Sequence, residues 1–437
     1  MDVINRLKST ITNVITGNPL IAEFEILEHK GSGGPGMMWR IHAGVKRSTK
    51  QEVSLFIFEK KQLERYPRRD RDLIVDVLKK GVQQMTRLRH PKILSVLHPV
   101  EESREVLAFA TEPVLMSLAN ILGKFNNLPG PIRGEIKEFK LYDVEIKYGL
   151  LHITEGLGFL HNDVKMIHNG LCPESIYINK TGSWKLSGFD FCIPNANQQD
   201  NSPYYPFKEW EPHFPPVTKP NLDYLAPEYA VTQSCDTSAD LFSLGMLMYA
   251  IFNGGKTLYD CRGEWNTFKQ NAKEARCLKN LKPSILGSVP MDVRDHVKML
   301  LNSEPTVRPD ADQMSKIPFF EDVGAMTLQY METLVQRDNL QKSQFFKGMP
   351  KILQKMPKRV CIQRILPALF SECTNPNMIP FVLPNVMEIA EQCSEKEFAQ
   401  HILPGLIPIF SIPDPIQVRL IWLLSAYTET CTQYNLI

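Results

Sequence analysis

The sequence predicts an α+β chain of two lobes followed by an all-α run of short helices. Three observations carry that prediction. The text from Glu23 to Glu59 is strand-like, the body beyond about Val144 is strongly helical, and past about Val323 short helices share a recurring signature.

The strand-rich start reads F-E-I-L-E-H, a glycine cluster, then M-M-W-R-I-H-A-G and E-V-S-L-F-I-F. β-Branched and aromatic residues at this density suit a pleated, half-buried surface. A helix is expected over Asp70–Leu88, then strands in I-L-S-V-L-H and V-L-A-F-A-T-E. Helices follow near Val144–Asn162 and Ala239–Phe252. Between Pro194 and Pro220 the chain contains S-P-Y-Y-P-F-K-E-W-E-P-H-F-P-P. Prolines so dense exclude regular structure and predict an ordered or semi-ordered loop. Its aromatics are either exposed interface anchors or part of a lid over a cleft.

The tail signature is I-L-P-A-L-F at Ile365–Phe370, V-L-P-N-V-M at Val382–Met387 and I-L-P-G-L-I at Ile402–Ile407. The first and third are 37 residues apart (402 minus 365). That is near the period of roughly 40–47 residues of HEAT-type helical pairs. Proline just inside a helix start is tolerated, because its missing N–H has no intrahelical partner there. The expected organisation is an N-terminal amphipathic segment over 1–28, a bilobal domain over 29–325 and HEAT-like repeats over 326–437. No polar capping repeat is in view before Y-N-L-I, so the array reads as truncated.

The 50 basic and 48 acidic side chains leave a net charge of +2, which gives no electrostatic reason to expect nucleic acid. Nine cysteines contain no C-x-x-C pair, so neither a zinc site nor a disulfide framework is suggested. No apolar run reaches the roughly 18–20 residues of a membrane span. Ile4, Leu7, Ile11, Val14 and Ile15 share one helical face near the N-terminus. It packs on the protein's own surface or touches a membrane or partner.

Seven landmarks stand in order along the bilobal region. They are G-S-G-G-P-G at Gly31–Gly36, L-R-H-P at Leu88–Pro91, I-H-N-G-L-C-P-E-S-I-Y-I at Ile167–Ile178 and W-K-L-S-G-F-D at Trp184–Asp190. A-P-E at Ala226–Glu228, S-A-D-L-F-S-L-G at Ser238–Gly245 and V-R-P-D at Val307–Asp310 complete the set. The glycine cluster alone is weak, since glycines also make tight hairpins; the ordered set resembles the protein kinases.

Phosphoryl transfer is positioning plus charge neutralisation. Kinases use a lysine on the phosphates, a glutamate holding that lysine, an aspartate on the substrate hydroxyl, and an aspartate and asparagine on magnesium. On the alignment that the resemblance implies, Phe56 stands at the lysine position and Gly81 at the glutamate. Gly170 stands at the catalytic-loop aspartate, Cys172 at its companion lysine, Ser175 at the magnesium-holding asparagine and Gly188 at the magnesium-holding aspartate. Lys60 and Lys61 lie close behind Phe56, and Asp190 lies two residues past the metal position. Glu174 and Asp163, the other nearby acids, suit surface roles. Gly31, Gly33 and Gly36 are at most a vestigial nucleotide loop, with ATP binding open and no metal expected. Glu228, Arg308 and Asp240 match family positions that build the large lobe. A positioned base alone is worth roughly 100- to 10,000-fold, so the expectation is a protein that does not transfer phosphate.

A kinase-like domain at the N-terminus running into HEAT-like repeats resembles the Scy-like pseudokinase family, as do the H-N-G-L-C-P-E-S loop and G-F-D. The resemblance implies a cytosolic scaffold attached to membranes through clathrin coats and adaptor complexes. It implies traffic between the trans-Golgi network, endosomes and plasma membrane. Clathrin-binding motifs would then lie beyond Ile437. The alternatives are a weak or atypical Ser/Thr kinase, or a switch that binds ATP without transfer.

Overall fold

The structure is a computed structural model that describes residues 17–197, 203–274 and 284–410. The apolar face of Ile4–Ile15 and the last part of the expected array, 411–437, lie outside the described residues. The chain divides into two compact units, one of residues 1–141 and 149–319, the other of 142–148 and 320–437.

The first unit opens with an antiparallel sheet. Its strands are β1 (Phe24–Gly33), β2 (Trp39–Lys46), β3 (Glu52–Glu59), β4 (Val96–Glu102) and β5 (Val106–Thr111), in spatial order β1-β2-β3-β5-β4. The sheet thus begins inside the segment expected to be a separate amphipathic piece. Phe24 and Leu20 are buried with Leu55, Ile57, Val106 and Ala108, which ties the chain to the sheet from there. Central β3 is buried from Val53 to Phe58, as a continuous apolar run predicts. Helix α1 (Arg68–Arg87) buries Ile74, Leu78, Gly81, Val82 and Met85, a stripe at three- and four-residue spacing.

Three further strands form a smaller sheet: β6 (Val114–Ser117), β7 (Ile176–Asn179) and β8 (Trp184–Leu186). Below it the long helices are α2 (Asp143–Phe159) and α3 (Thr237–Phe252). Every residue of α3 from Ala239 to Ile251 is buried. A helix apolar all round has to be a core element. Asp236 caps it, accepting from the Ser238 N–H at 2.7 Å.

The second unit is helical and includes the start of α2. Glu145 of that segment is buried between two guanidiniums, with Arg359 Nη2 at 2.5 Å and Arg364 Nη2 at 2.9 Å. A boundary drawn at 325/326 does not anticipate this. The tail prolines also differ from expectation. Pro367 and Pro404 do not open fresh helices; each follows a π-turn in a continuous helical path. The Leu366 N–H donates to Cys361 O, and the Leu403 N–H to Phe398 O. A proline ring crowds the carbonyl four residues back, and a widened turn relieves that crowding. Pro384 sits inside the helix Ile379–Glu391.

Candidate functional site

The glycine turn is strapped down rather than open. The Ser32 N–H donates to Asn120 Oδ1 at 2.9 Å, Ser32 Oγ to Asn126 O at 2.7 Å and Ser117 Oγ to Ser32 O at 2.7 Å. The Gly34 N–H donates to Glu174 O at 2.9 Å. Gly34 and Gly36 hold positive φ of 69° and 59°, which glycine adopts without strain. A Cβ on Gly31 would meet Asn120 Oδ1 at 2.9 Å, and one on Gly33 would overlap the Tyr177 hydroxyl under 3.0 Å. These glycines let protein side chains approach the backbone closely.

Beneath them the space is aromatic. Phe56 pairs with Ile41 on β2 and Phe109 on β5. Its ring stacks on Phe109 with centroids 4.7 Å apart and meets Tyr177 edge-on at 5.1 Å. Trp39 adds an edge to Phe109 at 4.9 Å. All four are buried. Lys60 is not a substitute cation here. Its Nζ donates to Glu102 Oε1 at 2.6 Å and Ser103 O at 2.9 Å, and Lys79 pairs with the same glutamate.

The expected charge positions converge on a second cluster. Gly81 lies on the buried face of α1, directly against Asp190; a Cβ there would overlap Asp190 Oδ1 and Cγ under 3.0 Å. Burial pushes the Asp190 carboxyl up to about 7, against smaller pulls from its own backbone N–H and from Lys80. Gly188 has φ of 76°, and a Cβ there would press on Ser175 Cβ at 2.5 Å. Ser175 Oγ is spent on its own turn, bonding Cys172 N and O at 3.1 and 2.9 Å. The Gly170 N–H donates to His168 Nδ1 at 3.2 Å, and a Cβ there would sit 3.2 Å from the Phe191 ring. Burial, then the charge of Glu174, raise the Cys172 thiol well above its ordinary value, so it stays neutral.

Glu174 is not the surface acid expected from the sequence. It is 8% exposed and pairs with Lys124 through Oε1 at 2.7 Å. Asp163 is exposed. The Pro/aromatic segment also differs from a row of exposed anchors. Tyr205 and Trp210 are buried, Trp210 stacks on Trp265 at 5.3 Å, and Lys219 Nζ lies 3.5 Å from the Trp210 ring centroid. Tyr204 is the large aromatic left exposed among its described residues. Val217 of the segment reaches the glycine turn, where a Cβ on Gly36 would meet it at 2.5 Å, and Pro216, Val217 and Leu222 line the hollow beside Gly188 and Asp190.

The frame under this cleft is dense in satisfied bonds. Asp240 Oδ2 accepts from the His168 N–H at 2.7 Å and His161 Nε2 at 2.9 Å, and Oδ1 accepts from the Asn169 N–H at 2.8 Å. His168 Nε2 in turn reaches Ser187 O at 2.7 Å. Glu228 and Arg308 form a buried two-pronged pair at 2.6 and 2.8 Å, and Arg308 also donates to Ser238 O and Asn302 O.

Residues 24–320 match the protein kinase domain. The chain belongs to that family. Within it the relatives include SCY1-like proteins. The chain is 55% identical over 428 residues to human SCY1-like protein 2, covering 96% of this chain and 46% of that protein. It is 25% identical over 405 residues to the yeast protein kinase-like protein SCY1, covering 86% of this chain and 50% of that one. A Dictyostelium discoideum relative, 25% identical over 399 residues, is named a probable inactive serine/threonine-protein kinase; 90% of this chain and 42% of that protein are covered. The chain spans about half the length of these relatives.

Kinase-family members bind magnesium and ATP between the lobes, so the fit can be tested on the residues present. Tyr177, Phe56 and Asn120 take the space under the glycine strand, and no lysine stands at Phe56. The one acid of the G-F-D segment, Asp190, is buried against α1 with a carboxyl that holds its proton near neutrality. These residues do not fit a magnesium nucleotide. Tyr177, Trp39 and Asn120 were not legible as site residues. Tyr177 reads only as one more aromatic in a strand, and its contact with Gly33 joins residues 144 positions apart (177 minus 33).

Proposed function

We propose that this chain is a catalytically silent kinase-like scaffold acting in clathrin-dependent membrane trafficking by binding coat and adaptor proteins. The observation that carries the silent half is the filled cleft, with Phe56 and Tyr177 packed edge to face beneath Gly33. A group that must stabilise a developing phosphoryl charge has to be preorganised around it. The polar groups here are instead committed to one another. The trafficking half rests on what the resemblance to the Scy-like pseudokinase family implies, a cytoplasmic protein peripheral on clathrin-coated vesicles, the trans-Golgi network and endosomes. The tail is then the start of a HEAT-like array. The same π-turn followed by leucine and proline recurs at 361–367 and 398–404, 37 residues apart (398 minus 361), which supports a repeated unit.

Thermal melting with ATP, with and without magnesium, tests the silent half. A ligand at a hundred times its Kd stabilises by about 2.7 kcal/mol. We expect no magnesium-dependent shift and no transferred phosphate. A magnesium-dependent stabilisation that vanishes in Asp190→Ala would overturn the reading. Co-sedimentation of the chain extended to the length of its relatives with assembled clathrin–adaptor coats tests the other half. The expected result is binding indifferent to ATP, and its absence would remove the trafficking assignment.

A further inference from the structure

The net charge of +2 hides an uneven distribution along the chain. Between Asp338 and Glu372 there are seven cations and no acid. Four of them are neutralised within the second unit. Lys342 pairs with Glu372 and Lys358 with Glu397, each at 2.8 Å, and Arg359 and Arg364 share Glu145. Lys347, Lys351 and Lys355 are exposed and have no ion pair among the described residues. Lys347 leans on the Phe381 ring, 5.2 Å from its centroid.

These three lysines form one ridge. Asn339–Gly348 and Pro350–Leu353 are helical, and Met349 between them keeps helical angles, φ −70° and ψ −32°. Phe346, Met349, Leu353 and Met356 face the core. Positions 347, 351 and 355 lie on the opposite side, one turn apart, over about 12 Å. Leu340, 66% exposed, falls on the same line two turns earlier, and Val335, 92% exposed, precedes it by five residues. Like charges one turn apart destabilise a helix. A merely solvated face alternates its signs, and this one does not.

We propose that this ridge docks the chain on an anionic lipid bilayer, with the three lysines among the phosphate headgroups and Leu340 and Val335 entering the acyl boundary. The observations favour a bilayer over an acidic polypeptide. Exposed ion pairs with a soluble partner contribute little. The summed field of an anionic surface contributes roughly fivefold in affinity per basic residue. Lysine is a point charge on a flexible stem, suited to headgroups that hold no fixed geometry. Leu340 and Val335 reach toward a medium that accepts apolar groups without a shaped pocket. The contact needs none of the coat proteins of the proposed function.

Flotation of the whole chain with protein-free vesicles tests this. Vesicles of phosphatidylcholine and phosphatidylserine are expected to carry the chain, and vesicles of phosphatidylcholine alone are not. Replacing Lys347, Lys351 and Lys355 together by glutamine is expected to weaken binding roughly 100-fold, three fivefold steps. Leu340→Ser is expected to weaken it by about tenfold or more. The triple variant loses only repulsion within the helix, so its urea midpoint should match or exceed the parent's. The Ile4–Ile15 face is present in parent and variants alike and cannot supply the difference. Equal flotation with both kinds of vesicle, or an undiminished triple variant, would overturn the proposal. Tighter capture by a poly-glutamate peptide than by the vesicles would also overturn it, by assigning the ridge to acidic polypeptides. Failure here leaves coat binding standing, because no coat protein is present.

Discussion

Asp240 and Asp190 are both buried carboxylates, fifty residues apart, and their surroundings act on them in opposite directions. Burial alone would raise both. At Asp240 the hydrogen bond and charge of His161, the charge of His168 and the His168 N–H outweigh it, and the pKa falls below the ordinary value. At Asp190 burial wins and the carboxyl rises to about 7. One region is a frame in which each carboxylate oxygen has a donor. The other is the cleft of the G-F-D segment, in which a carboxyl rests against a glycine. A family fold can therefore keep its architecture while its charge positions lapse, because the two sets of residues answer to different forces. The frame groups are held by donors that folding itself brings together. The cleft groups would be held by a ligand, and Phe56, Gly81 and Gly188 provide nothing for that ligand to hold.

The same substitution in the two places should have opposite signs. Asp240→Asn removes the charge that three donors share, and leaves at least one of them facing an amide. Roughly 3–5 kcal/mol of stability should be lost, the scale of breaking a buried charged network on one side. Urea unfolding of the whole chain would show it. A loss under about 1 kcal/mol would erase the distinction between frame and cleft.

Asp190→Asn should stabilise, and only at the alkaline end. An unfolded aspartate titrates near 3.8, and the folded one near 7. Between those values the folded state keeps a proton that the unfolded state has lost, so stability falls as pH rises and the loss is complete above about 7. At about 1.36 kcal/mol per pKa unit this reaches up to about 4 kcal/mol. The variant carries no such proton. It should match the parent near pH 4 and exceed it at pH 8 by up to about 4 kcal/mol. A parallel pair of stability-against-pH curves would show that Asp190 is solvated or paired after all.

These two aspartates also mark how far the sequence can be read. Asp240 sits in S-A-D-L-F-S-L-G, whose periodic apolar neighbours announce a buried helix and whose place among the landmarks announces its role. Both lobes, the main helices and the frame follow from such local patterns. Asp190 reads only as an acid two residues past the metal position, because nothing local reveals that α1 will press a glycine against it. Glu174 reads as a surface acid for the same reason, since its partner Lys124 is fifty residues away. Tyr177 under Gly33 and Glu145 between Arg359 and Arg364 are likewise long-range events. Periodicity says which face is buried, and it says nothing about what a distant segment places there. The π-turns before Pro367 and Pro404 were hidden by a different cause. A proline after an apolar pair satisfies the rule for a helix start and the geometry of a widened turn equally well.

The smallest expected effect sharpens the comparison at its contact point. Gly81 is a helix-interior glycine, and replacing it with alanine ordinarily gains roughly 1 kcal/mol through helix propensity. Here the new methyl would overlap Asp190 Oδ1 and Cγ, on a side chain packed too tightly to swing aside freely. Gly81→Ala alone should therefore be neutral or destabilising. In an Asp190→Ala background the obstacle is gone, and the same change should stabilise by about 1 kcal/mol. The double-mutant cycle should then show a coupling of at least about 1 kcal/mol between two positions 109 residues apart (190 minus 81). Additive effects would mean that α1 and the G-F-D segment do not meet as closely as the structure has them. The glycine at the glutamate position would then be an incidental loss. A coupled result would identify it as the residue that makes room for Asp190, and so as part of how the cleft is closed.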